Sequence, residues 1–349
     1  LLRIFFSNMI DLRSDTVSKP CAGMRARMVH TEVGDDVYDE DPTVLQLQDK
    51  AAAMLGKEAA LFVSSGTMGN LLASMIHARD RRSEIICGHL SHVARDEVGG
   101  IASVAGVHTF EVPNLPDGSL ELRRLQEALS QDASDIHYSV PRAVFLENTH
   151  GLLGGAVMSL EQISAVKRLT SQRPGIALHC DGARLWNASA ALQVPPSRLA
   201  QDFDTVTCCL SKCLGAPAGS ILAGSKSFIS EAKWARKMLG GGMRQIGFLA
   251  AAGLYALEIN LQRVPEMHEC ASRLASRISE ANLQTVTVDA PATNIVFVKT
   301  NDPVKRDRVV DMCRADGVLV GTWSDGWMRC VTHANHTLND SDRAGCVIR

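Results

Sequence analysis

Between residues 59 and 224 the chain keeps repeating one local pattern: a short apolar run, a turn of small residues, then a helical stretch. AALFVSS (residues 59–65) passes through Gly66 and Thr67 into MGNLLASMIHA. SEIICGH and VHTFEVP are further strand candidates, and a DG turn leads from the second into LELRRLQEALS. PRAVFLENT precedes the helical SLEQISAVKRLTSQRP, and GIALHCDGA, DTVTCCLS and GSILAGS complete the series. Strands this uniformly apolar are covered on both faces. The alternation therefore predicts an α/β fold, a mostly parallel sheet with helices on both sides. No repeat with a period of roughly 20–50 residues is present, which argues against a solenoid.

The flanks differ. An acidic segment (residues 11–42) leads into PTVLQLQDKAAAMLG, where proline opens a helix and Gly56 ends it. A long helical region over residues 227–262 is interrupted by GGG, and ECASRLASRISEAN forms a further helix. The short strands TVTVD, NIVFVKT, GVLVG and MRCVTH then predict a smaller α+β domain. The expected division is residues 1–254, an N-terminal segment plus a large domain, and residues 255–349. A chain of 349 residues can support two cores.

With 36 Lys+Arg against 38 Asp+Glu, the net charge is −2, so no basic field exists to hold nucleic acid or an anionic membrane. No apolar run reaches the length of a membrane span. The start, LLRIFFSNMI, is apolar but short, without a basic leader or small-residue cleavage site. Ten irregularly spaced cysteines read as free thiols in a reducing compartment. That places the chain in the cytosol, or in the mitochondrial matrix if a transit peptide has been removed.

Parallel sheets bind ligands beyond the C-terminal ends of their strands, and three groups sit there. SSGT (64–67) puts small residues at a helix start, where amides hold a phosphate or a side chain simply caps. It matches neither the phosphate-loop pattern nor the dinucleotide fingerprint. HCDGAR (179–184) offers an acid that can hold a protonated ring nitrogen or a metal, or only cap a turn. SKCLGAP (211–217) offers Lys212, an amine able to form a Schiff base, against the alternative of a surface lysine. The thiols fit chemistry less well. Cys208 and Cys209 are adjacent and so face opposite ways on a strand. Cys213 has no partner pair at zinc spacing, and C-x-x-H at Cys330 is a weak signal.

Taken together, DLRSDTVSKP, VGDDVYDEDPT, GKEAALFVSSGTMGN, ENTH, DGARLWNA, LSKCLGAPAGSILAG and RKMLGGGMRQ resemble the low-specificity L-threonine aldolases. DIHY and MRCVTH are weaker matches, and the segments run in the family's order from residue 11 to residue 336. The resemblance implies the pyridoxal-phosphate fold of the aspartate-aminotransferase type. It also implies aldol cleavage of L-threonine, L-allo-threonine and related β-hydroxy amino acids to glycine and an aldehyde.

By the same resemblance, Lys212 would carry pyridoxal phosphate as a Schiff base and Asp181 would pair with its ring nitrogen. Gly66 and Thr67 would cradle the phosphate, and His92 would stack on the ring and serve as base or water positioner. Ser14, Arg184 and Arg329 would clamp the substrate carboxylate. His137 and Tyr38 would lie near the substrate side chain, Glu97 near the cofactor's polar edge, and Arg244 near the phosphate, from the same or a neighbouring subunit. Relatives act as dimers or tetramers with shared active sites. No metal, nucleic acid or membrane is implied.

The chain departs from the family where Asp39 and Cys213 replace glycine and where Gly151 replaces asparagine. These departures keep a weakened or silent homologue among the readings, beside another reaction of the same cofactor and, more remotely, a zinc-thiol protein.

Overall fold

The computed structural model describes residues 9–281, 286–300, 302–323 and 326–349. The apolar start, residues 1–8, lies outside them. In chain order the strands are β1 (Ile10–Asp11), β2 (Ala59–Val63), β3 (Ser83–Gly88), β4 (His108–Val112), β5 (Val140–Glu147), β6 (Ala177–Asp181), β7 (Thr205–Cys209) and β8 (Ser220–Gly224). Strands β9 (Val286–Val288), β10 (Ile295–Thr300), β11 (Val318–Leu319), β12 (Gly321–Thr322) and β13 (Trp327–Val331) follow.

Seven of them form the main sheet, in the order β2-β8-β7-β6-β5-β3-β4. Only β8 runs against its neighbours, so the mostly parallel sheet expected from the apolar runs is present. β3 and β7 are buried along their whole length, which explains why their sequences show no polar alternation. Helices pack two cores against the two faces, one around Phe62, Leu146, Trp186 and Val206, the other around Leu61, Val63, Phe145 and Leu222.

A third core belongs to the four-stranded antiparallel sheet β12-β13-β10-β9. Helix Val264–Ser279 bridges the layers: Val264 and Met267 pack with the main sheet, Ala271, Leu274 and Ile278 with the small one. The chain is helical without a break from Gly247 to Ser279 through a tightening near Arg263, and the change of core falls between Met267 and Ala271. The GGG break is real, with Gly240 at φ 77° after the helix Lys226–Met238. At the N-terminus β1 pairs in parallel with β11, and Ile10 and Leu12 sit in the small core. A two-residue strand carries too little local signal to announce a partner three hundred residues away.

No helix among the described residues is long and apolar enough to cross a membrane.

Asp41 joins two helices. Its Oδ1 accepts from the amides of Thr43 and Val44 at the start of helix Pro42–Leu55. Its Oδ2 accepts from Gly247 N at 2.8 Å, at the start of helix Gly247–Tyr255. Asp41→Ala removes both acceptor oxygens, and with them three hydrogen bonds, from a buried site, and denaturant unfolding should show a loss of about 2 kcal/mol.

Candidate active site

β2, β5, β6 and β7 point their C-terminal ends the same way, and the chemistry gathers there. Glu147 ends β5 and Asp181 ends β6, as register partners. Lys212 follows β7, His92 follows the turn after β3, and β2 runs into helix Gly66–His77. Two cavities of about 280 and 250 Å³ open at this edge, and Thr16, His92, Asp181, Ala183 and Lys212 line both. Ser14, Glu147, Gly151, Arg184, Trp323 and Arg329 complete the larger one. Ser65, Gly66, Thr67, Asn70 and Glu97 complete the smaller.

The smaller cavity meets a helix start. Ser65 satisfies Met68 N with its side chain and Gly69 N with its carbonyl. The geometry of a helix start turns the Gly66 and Thr67 amides outward, toward an anion.

The larger cavity carries its cations, Lys212, Arg184 and Arg329, among the carboxylates of Asp96, Glu147 and Asp181. Arg184 donates from Nε and Nη2 to the two oxygens of Asp15, at 2.7 and 2.6 Å, both residues being buried. Burial alone would raise the Asp15 carboxyl, but the guanidinium, with Lys212 and Arg329 beyond it, holds it well below the usual range. Arg329 comes from β13 and packs on the ring of Trp323, 5.0 Å from its centroid. Burial, and then the charge of Arg184, push it down to about 10. Its buried Nε has no partner among the described residues, a donor left open for an incoming acceptor.

His92 is held twice. Its backbone N–H donates to Glu147 Oε2 at 2.8 Å, and Nδ1 lies 3.0 Å from Glu97 Oε1. That same oxygen accepts from Asn70 Nδ2, so the hydrogen of the His92 contact comes from Nδ1 and the neutral ring keeps Nε2 as its acceptor. The bond to Glu97 raises the His92 imidazole above its ordinary value despite burial. Burial in turn raises Glu97. The donor atoms of His92, Glu97 and Asp181 lie within 4.8 Å of one another, a spacing a cation could use. Asn70 already donates to both carboxylates.

The fold thus brings Lys212, Asp181, His92, Arg184, Glu97, Gly66, Thr67, Ser14 and Arg329 to one place. Three other expected residues line neither cavity within this chain. Tyr38 is 71% exposed on a turn fixed from beneath by the buried Asp36–Arg236 pair. His137 is exposed on a loop and bound to Asp135, and Arg244 pairs with Asp35 at 3.1 Å. Sequence reading had assigned no role to Asp15, Asn70, Glu147, His179 or Trp323. The first four stand within or beside the matched stretches, but only their convergence across strands marks them. Trp323 lies in none of these stretches.

The three departures resolve locally. Cys213 does not occupy a left-handed backbone position; Gly215 does, at φ 78°. Its buried thiol lines neither cavity and donates to Asn187 Oδ1 at 3.2 Å, so it crowds neither the lysine nor the cleft. Asp39 does adopt φ 60°, and Lys233 binds its carboxylate. Gly151 donates its amide to Glu147 Oε1 at 2.7 Å, and a Cβ there would meet that oxygen at 3.2 Å and Arg184 Nη1 at 3.4 Å.

Residues 11–302 match the beta-eliminating lyase family. A probable low-specificity L-threonine aldolase 2 of Arabidopsis thaliana is 43% identical over 335 residues, covering 95% of this chain and 94% of that protein. The low specificity L-threonine aldolase of Escherichia coli K12 is 40% identical over 325 residues, covering 93% and 94%. Among solved structures, a putative L-allo-threonine aldolase from Listeria monocytogenes superposes with a TM-score of 0.81 at 21% identity, covering 99% of this chain and 98% of that one. At that identity the likeness speaks for the fold.

Glu97→Gln replaces the anchoring carboxylate with a neutral amide. The His92 imidazole should then titrate at lower pH than in the unaltered protein, as followed by NMR of its ring protons. An unchanged or higher midpoint would contradict the assigned contact.

Proposed function

The chain belongs to the beta-eliminating lyase family, and from that premise we propose that it cleaves L-threonine, L-allo-threonine and related β-hydroxy amino acids to glycine and an aldehyde, with pyridoxal phosphate as cofactor. One observation carries this reading. The amine of Lys212 and the carboxylate of Asp181 line both cavities, which meet a helix start on one side and the buried Arg184 with the half-buried Arg329 on the other.

The donor set fits the cofactor. Outward amides at Gly66 and Thr67 suit its phosphate, Asp181 suits a protonated ring nitrogen, and Lys212 suits the aldehyde carbon. When bound, pyridoxal phosphate would supply an electron sink for the pair released from the Cα–Cβ bond.

The residues themselves do the rest. Arg329, with its open Nε, and Arg184 attract the substrate carboxylate, and Ser14 stands at the same wall. Asp15 pairs with Arg184, and no ion pair holds Arg329 among the described residues, so its guanidinium is the group free to meet an anion. Holding the carboxylate there fixes rotation about the amino acid's Cα. The bond to be broken is thereby oriented before any chemistry occurs. His92 holds a hydrogen on Nδ1 toward Glu97 and offers Nε2 to the β-hydroxyl proton. It accepts that proton only as neutral imidazole, and its raised value moves this limb of the pH profile upward. Trp323 and Leu152 add apolar surface to the cavity wall.

We place the active assembly in a homo-oligomer, a dimer or tetramer with shared sites. The exposed Tyr38, Trp234 and Met238, at 71%, 77% and 70%, support a covered face. Across such a contact Arg244, Tyr38 and His137 would approach a neighbour's cavity. The ten free thiols support a reducing compartment, the cytosol or mitochondrial matrix.

Purified protein with pyridoxal phosphate and L-threonine should release acetaldehyde and glycine in equal amounts. Ammonia with a 2-oxo acid would point instead to β-elimination, and no product in a cofactor-loaded protein would point to a silent homologue. Lys212→Ala should abolish both turnover and the bound cofactor's visible absorbance. Arg329→Met should raise KM for L-threonine by roughly tenfold or more, with a smaller change in kcat.

A further inference from the structure

Behind Asp181 a line of hydrogen bonds crosses the main sheet. Asn70 Nδ2 lies 2.9 Å from Glu97 Oε1 and 2.9 Å from Asp181 Oδ2. Asn70 Oδ1 lies 3.1 Å from His179 Nε2. His179 Nδ1 lies 2.8 Å from Thr205 Oγ1, and His77 Nε2 lies 2.8 Å from the same oxygen. Asn70 and His179 are 1% and 0% exposed, and Thr205 is 1% exposed, so none of these groups can exchange its partner for water.

The direction of every bond follows from the two carboxylates. They face the NH₂ side of Asn70, so Oδ1 is left as the acceptor toward His179. His179 Nε2 therefore carries hydrogen. Burial keeps this ring neutral, which leaves Nδ1 bare, and the Thr205 hydroxyl must donate to it. The remaining lone pairs of Thr205 then accept from His77 Nε2–H. Phe145 packs on the His179 ring, centroids 4.4 Å apart, and fixes its plane. All donors point one way, from His77 at the far end of helix Gly66–His77 to Asp181.

We propose that His179 and Thr205 are positioning residues that lock the Asn70 amide with both N–H bonds on Asp181 and Glu97, so that the Asp181 carboxylate is held in one orientation toward the cofactor site. The proposal rests on the assignment of Asp181 to the cofactor's ring nitrogen. Without the His179 N–H, the amide can turn over and present Oδ1 to a carboxylate. That carboxylate then loses a hydrogen bond and faces a second acceptor, which turns it out of place. A displaced Asp181 carboxylate holds a protonated ring nitrogen less well, so cofactor affinity and the cofactor's own titration change together.

The test uses the unaltered protein, His179→Leu, His179→Gln and Thr205→Val, with circular dichroism to establish folding. The readouts are the pyridoxal-phosphate dissociation constant and the pH midpoint of the bound cofactor's visible absorbance. His179→Leu should weaken the cofactor about tenfold and shift the midpoint. Thr205→Val should move both in the same direction by less, and His179→Gln, which restores an N–H, should recover most of the loss. A folded His179→Leu with unaltered affinity and midpoint overturns the proposal. If that variant does not fold, unaltered values in Thr205→Val do so. Nitrogen NMR of the unaltered protein without cofactor gives a separate decision: His179 should carry its hydrogen on Nε2, and an Nδ1–H tautomer overturns the relay. Should the unaltered protein bind no pyridoxal phosphate, the functional reading fails on its own, and the tautomer still decides the relay.

Discussion

The carboxylate of Asp15, with no solvent exposure, is the point on which the two halves of the molecule depend. It takes two hydrogen bonds from Arg184, which follows β6 of the main sheet, and lies 3.4 Å from Asn294 Nδ2, beside β10 of the small one. Asp15 itself sits just after β1, which belongs to the small core. Three stretches of chain that are distant in sequence therefore meet on one buried charge. A buried ion pair contributes little net stability, because desolvation offsets most of the attraction. What it does contribute is geometry. Losing either partner would leave an uncompensated charge, so the cleft wall has one allowed arrangement.

That arrangement decides the electrostatics of the cleft. Arg184 is neutralised by Asp15, whereas Arg329 is not, and its Nε stays without a partner. Arg329 and Lys212 line the same cavity as Asp181. An amino acid brings an anionic group and an amine, and the cleft presents complementary charge to the first and a cofactor site to the second. The polar network behind Asp181 uses neutral donors only, so it orders the carboxylates without adding a further charge to desolvate.

Much of this was legible from the residues. Continuous apolar runs followed by small-residue turns specified the parallel sheet, and the strand-end rule singled out SSGT, HCDGAR and SKCLGAP, which do converge. Other features were not legible. Cys213, beside the lysine and in place of glycine, looked like an obstruction, yet its thiol turns away to Asn187. Side-chain direction depends on local dihedrals that a string of letters does not carry. Tyr38, His137 and Arg244 matched motifs but stand outside the cavities of a single chain. A motif records that a residue occurs, not which surface it serves. The two-residue strand β1 was not legible at all, because so short a segment announces no partner.

By itself the sequence determined what is short-range: which runs become strands, which become helices, where Asp41, Ser65 and Gly56 begin or end them, and that Lys212 and Asp181 sit at strand ends. These follow from side-chain period and capping, which act within a few residues. The tertiary structure decided what is long-range: the pairing of Asp15 with Arg184, the open Nε of Arg329, and the orientation of Asn70 between two carboxylates. Those depend on sheet register and on exclusion of water, and neither exists until the strands have been brought together.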